Sequence, residues 1–109
     1  MGMPEFARLS TFDVAPDRTD DAVAFFNRTD LRDVAEAGGF RRGFWLLDRA
    51  TGKGAELVIF ESKTALDSAE GEEADARSHA AEAGVKLSAE QFYEVVAEGR
   101  PSGEPTPAR

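Results

Sequence analysis

His79 is the single histidine of the chain, and its ordinary pKa lies near neutrality. That makes it the candidate catalytic residue. Facing a pocket, it serves as a proton shuttle or an axial ligand. On the outer face of its helix, it has Asp75 four residues before it and Glu82 three after it, and both favour its charged form. The small residues Ala76, Ala80 and Ala83 run beside it, so both orientations stay open.

Trp45 and Phe25 are large enough to stack on a planar ligand. Aromatics at strand and helix positions also serve as core. Arg8 alternates along its segment with Ala7, Leu9 and Thr11. If that second set faces the helices, Arg8 faces outward to a partner sheet and needs a carboxylate there, with Glu56 or Glu94 at hand. Arg41 and Arg42 read as edge charges rather than an anion site. Asp20-Asp21 and Glu72-Glu73 are adjacent pairs that point in different directions on a helix, which is unsuited to shared acid–base work. No phosphate-binding loop or Ser-His-Asp pattern is present.

Other chemistry is excluded by composition. The chain has no cysteine, so disulfides, thiolate catalysis and Cys-based zinc sites fall away. One histidine cannot build a zinc site of several imidazoles. No metal and no cofactor is expected. Thirteen basic against twenty-one acidic residues leave a net charge of −8, which repels nucleic acid and anionic membrane, so neither is an expected partner. The longest apolar run, about five residues, falls far short of a membrane span. With no secretory signal visible, the expected location is the cytoplasm.

These residues must be held by elements that the pattern makes legible. Phe6 to Val14 reads as a strand, and Ala15-Pro16-Asp17-Arg18 as a turn. A helix follows over about 19–37, with Ala22, Val23, Phe25, Phe26, Leu31, Val34 and Ala35 on its apolar side. Asn27-Arg28-Thr29-Asp30 interrupts that side, and Gly38-Gly39 stops the helix. Phe40 to Asp48 and Ala55 to Glu61 form a hairpin around Ala50-Thr51-Gly52-Lys53-Gly54. Ser62 or Thr64 caps a second helix, which ends at Ala83-Gly84. A last strand lies within 85–97. The order β-α-β-β-α-β predicts an α+β, ferredoxin-like domain over 5–97: a four-stranded antiparallel sheet with two helices on one face. Residues 98–109, proline-rich and without a large apolar side chain, are expected to be a disordered tail.

Phe44-Trp45-Leu46-Leu47 and Leu57-Val58-Ile59-Phe60 are apolar on both strand faces. Helices cover one face. The other would leave several large side chains in water, each worth about 1.5–3 kcal/mol on burial. A second copy of the chain is the expected cover, giving a homodimer through the sheet face.

Several segments carry a family resemblance. They are Phe6-Ala7-Arg8-Leu9-Ser10-Thr11-Phe12, the Gly39-Phe40 junction, Asp48 through Gly54, and Glu56-Leu57-Val58-Ile59-Phe60-Glu61-Ser62 running into Lys63-Thr64-Ala65-Leu66. Over about residues 5–97 the chain resembles the dimeric α/β-barrel superfamily, and within it the antibiotic-biosynthesis-monooxygenase-like group. The resemblance implies a pocket between sheet and helices. It also implies activities that include cofactor-independent oxygenation of aromatic polyketides, haem degradation and isomerisation. The haem-degrading branch uses an Asn, a Trp and a His, and the matching positions here hold Leu9, Ala69 and His79. Leu9 and Ala69 depart from that pattern, which ranks a haem-binding or haem-degrading role last.

The expected pocket residues are Leu9, Phe25, Trp45, Ala69 and His79. The expected function is cofactor-independent, monooxygenase-like chemistry on a planar apolar small molecule. The alternative is a dimer that binds or builds without turnover. A cavity above ~300 Å3 with aromatic walls favours a ligand site, and a filled core favours the structural role.

Overall fold

The computed structural model describes residues 4–69 and 79–102. The first strand, β1, spans Phe6–Val14, and a 3-10 turn at Pro16–Arg18 leads out of it. Pro16 presets the backbone angle of that turn, and the Arg18 N–H closes it on the Ala15 carbonyl at 2.8 Å. The helical segment that follows has three parts: α1 at Thr19–Phe25, a π-helical turn at Phe26–Asp30, and α2 at Leu31–Ala35. The π-helical turn falls on the interruption seen in the sequence. It winds wider than an α-turn, so it offsets the angular drift of residues spaced four apart. Ala22, Phe26, Asp30 and Val34 therefore stay on one side of the segment.

The hairpin strands are β2 at Phe40–Leu47 and β3 at Lys53–Phe60. Their turn closes through Asp48 N–H to Lys53 O and Gly52 N–H to Asp48 O, both 2.8 Å. Gly52 has φ 78°, and a Cβ there would stand 2.1 Å from the Val14 carbonyl oxygen, so only glycine fits. Ser62 caps the next helix, α3 at Lys63–Ala69, by accepting the Ala65 N–H at 3.1 Å. A helical stretch at 79–82 precedes the last strand, β4, at Val85–Glu94.

The strands lie in the order β2-β3-β1-β4, and every pairing is antiparallel. The helices pack on one face. This is the ferredoxin-like α+β arrangement predicted by the element order. Two clusters fill the layer between sheet and helices. One holds Phe12, Val14, Ala22, Phe26 and Val85; the other holds Val58, Phe60 and Leu66. Trp45 packs against both.

Strand parity follows from these clusters. Phe12 and Val14 pack on helix residues, so Phe6, Arg8 and Ser10 share their face. Ala7, Leu9 and Thr11 lie on the other face, with their cross-strand partners Ile59, Leu57 and Ala55. On β2 the same open face carries Phe44 and Leu46, which pair with Leu57 and Ala55 and are 49% and 55% exposed. No helix among the described residues is long and apolar enough to cross a membrane. Expectations for residues 70–78 and 103–109 lie outside the described residues.

Candidate functional site

A cavity of about 560 Å3 opens between the sheet and the helical layer. Phe12, Phe25, Phe26, Val85 and Leu87 make its apolar walls, and Arg8, Ser10, Asp30, Glu56, Lys86 and Glu90 bring polar groups to it. Gly54 helps to shape the floor. It pairs with Phe12 across β1 and β3, and a Cβ at Gly54 would stand 2.3 Å from the Phe12 ring. Phe12 and Phe26 meet with ring centroids 5.2 Å apart, tilted by 52°, a favourable aromatic geometry.

The polar groups form one network. Ser10, Glu56, Trp45 and Glu90 lie in one cross-strand row on the helix-facing side. Arg8 Nη2 donates to Glu56 Oε1 at 3.0 Å. The Trp45 indole N–H reaches Glu56 Oε2 at 2.8 Å and Asp30 Oδ2 at 2.7 Å. Arg8 and Glu56 are 7% and 9% exposed. Asp30 arrives from the opposite layer, carried inward by the π-helical turn. Burial pushes the Glu56 carboxyl up to about 8, and hydrogen bonding to Asp30 and its negative charge push the same way. Arg8 acts in the opposite direction and loses to burial. The cavity wall therefore holds a carboxyl that exchanges its proton near neutral pH.

The residues singled out in the sequence separate. Phe25 lines the cavity. Trp45 stands against it through its two carboxylate contacts. Leu9 lies on the open face of the sheet, because the helices pack on the other parity of β1. For the same reason Arg8 points into the cavity instead of toward a partner sheet, although its carboxylate is the expected Glu56. Ala69 lines a separate recess of about 620 Å3 between the helices, with Asp33, Glu36, Glu61 and Ser68 among its walls. His79 is exposed and is absent from the cavity lining. Arg41 pairs with Glu61 at 3.7 Å, and Arg42 with Glu5 at 3.3 Å and Glu98 at 2.9 Å, in keeping with edge charges. No group of three or more carboxylate, imidazole or thiolate ligands gathers among the described residues.

Asp30 and Glu56 lie far apart in the chain, so no spacing of neighbouring acids pairs them. Two signals point to them: a carboxylate on the buried parity of an apolar strand, and an acid four residues after Phe26 on the core side of a helix.

No family model matches the chain, and no curated protein matches its sequence. Solved structures do match its fold. SnoaB from Streptomyces nogalater, a cofactor-independent oxygenase, aligns at 16% identity and TM-score 0.61, covering 93% of this chain and 99% of that one. The ActVA-Orf6 monooxygenase of Streptomyces coelicolor, solved in complex with nanaomycin D, aligns at 15% and 0.67, covering 93% and 94%. MupZ from Pseudomonas fluorescens aligns at 9% and 0.69, covering 82% and 70%. At these identities the likeness is one of fold, and the chain shares the ferredoxin-like α+β fold of these structures.

Proposed function

We propose that this protein is a small monooxygenase-like enzyme, independent of a cofactor, that acts on a planar, largely apolar small molecule. The observation that carries this reading is the cavity. Its volume of about 560 Å3 exceeds the ~300 Å3 at which ligand sites begin, and its aromatic walls converge on a buried Arg8–Glu56 pair. Phe12, Phe25 and Phe26 supply flat apolar contact. In such chemistry the deprotonated substrate itself gives electrons to dioxygen. The protein binds the substrate, excludes water and moves a proton. The fold shared with a cofactor-independent oxygenase supports the reading by analogy.

The working unit in this reading is a homodimer. Phe44 and Leu46, exposed beside Leu9 and Leu57 on the open face, fit a second copy of the same sheet.

The test has two parts. Small molecules released from protein purified from its own source are identified by mass spectrometry, and that compound is then incubated with the protein in air. Oxygen uptake is expected, with a product that gains one oxygen atom and loses two hydrogens as the second oxygen atom leaves in water. Binding without uptake establishes the non-catalytic alternative. Failure of any planar molecule to bind sinks the ligand reading altogether.

A further inference from the structure

We propose that Glu56 is the general base of this cavity, taking a proton from a neutral carbon or oxygen acid held against Phe12 and Phe26, with Asp30 as the positioning residue that shares the Trp45 indole N–H with it. This rests on the cavity being a ligand site, as argued above.

The geometry assigns the role. Glu56 lies in the middle of the sheet, faces the helical layer and forms part of the cavity wall. One of its oxygens is held by Arg8 and the other by the Trp45 indole, so the carboxyl plane is fixed. A base must be oriented before its pKa matters. Every element around it contributes a group: Arg8 and Ser10 from β1, Asp30 from the π-helical turn, Trp45 from β2 and Glu90 from β4. Burial and Asp30 raise the proton affinity of Glu56, which makes it a stronger base than a surface carboxylate while leaving it partly ionised at neutral pH.

The charges balance without leaving the site. Before transfer the wall holds the Arg8 cation and the Glu56 carboxylate, and the ligand is neutral. The ligand's C–H or O–H bond breaks, its electron pair moves onto the ligand's carbonyl or phenolic oxygen, and a Glu56 O–H bond forms. No oxidant or reductant takes part. The new anion sits beside Arg8, so one ion pair replaces another and the net charge of the buried site is unchanged. That avoids the cost of creating an unpaired charge in low dielectric.

The experiment uses 2-tetralone, a bicyclic ketone with acidic C–H bonds, in D2O. Binding is read from the fluorescence of Trp45, the sole tryptophan, and proton removal from deuterium incorporation by mass spectrometry. Wild-type protein is expected to bind the ketone and to accelerate exchange, with the rate rising to a plateau through an inflection near pH 8. Glu56→Gln should bind but lose at least ~100-fold in exchange. Asp30→Asn keeps an acceptor for the Trp45 N–H and removes the like charge, so its inflection should move down by roughly one pH unit. An unquenched Trp45 overturns the ligand reading and this inference with it. Binding with exchange equal in wild type and Glu56→Gln overturns the inference alone. Should Glu56→Gln fail to fold by circular dichroism, Asp30→Asn decides: an unmoved inflection overturns the assignment.

Discussion

Asp30 and Glu56 meet at one donor: the Trp45 indole N–H lies 2.7 Å from Asp30 Oδ2 and 2.8 Å from Glu56 Oε2. A single N–H thus ties the helical layer to the sheet at the cavity wall. It holds the two carboxyls close enough for Asp30 to raise the proton affinity of Glu56.

The first consequence is a stability that falls with pH. Glu56 is raised from 4.5 in the unfolded chain to about 8 in the folded one, so between those values the native state binds more proton than the unfolded state. Its contribution is full below about 4.5, declines as pH rises, and is lost above about 8. The slope from this one group approaches about 1.4 kcal/mol per pH unit at its steepest. Urea midpoints measured from pH 5 to 8 should fall in the wild type and flatten in Glu56→Gln. Parallel curves for the two proteins would show that Glu56 titrates as an ordinary surface acid.

Trp45→Phe keeps an aromatic ring between the two core clusters and deletes the shared donor. Two inward carboxyls then lose a hydrogen bond each, at a cost of about 1–3 kcal/mol. Chemical denaturation is expected to show that loss in full at pH 9, where Glu56 is ionised, and a smaller one at pH 6, where a protonated Glu56 can serve as donor to Asp30. A cost independent of pH would mean that only packing had been lost.

Phe44→Asp or Leu46→Asp places a charge on the open face, where each native side chain is about half exposed. Light scattering should give the wild type a mass of twice 11.8 kDa at micromolar concentration and the variants a lower one, with far-UV dichroism unchanged. A wild-type mass near the single-chain value would remove the dimer.

Haemin addition tests the imidazole. His79 is exposed and apart from the cavity lining, and the site's inward acids, Asp30, Glu56 and Glu90, oppose haem propionates. No saturable Soret shift is expected, and His79→Ala should leave cavity ligand binding within experimental error. A stoichiometric shift at low micromolar haemin that disappears in His79→Ala would put His79 back in the site as an axial ligand.

The fold was legible because local chemistry carries it. Proline at Pro16, glycine at Gly52 and the cap at Ser62 act within a few residues of themselves. The apolar periods of β1, β2 and β3 repeat within single segments, so element order and hence topology could be read directly. Even the interruption at Asn27–Asp30 was visible, though not its π-helical form. What the sequence left open was the parity of β1, since both faces carry apolar side chains and periodicity cannot say which meets the helices. Packing decides that: Ala22 and Phe26 close on Phe12 and Val14, and this one choice turns Arg8 inward and Leu9 outward. The Asp30–Glu56 pair is a further step removed. It requires a helix turn and a strand distant in sequence to stack across the core. Its raised proton affinity comes from burial, which exists only once the chain has closed around it.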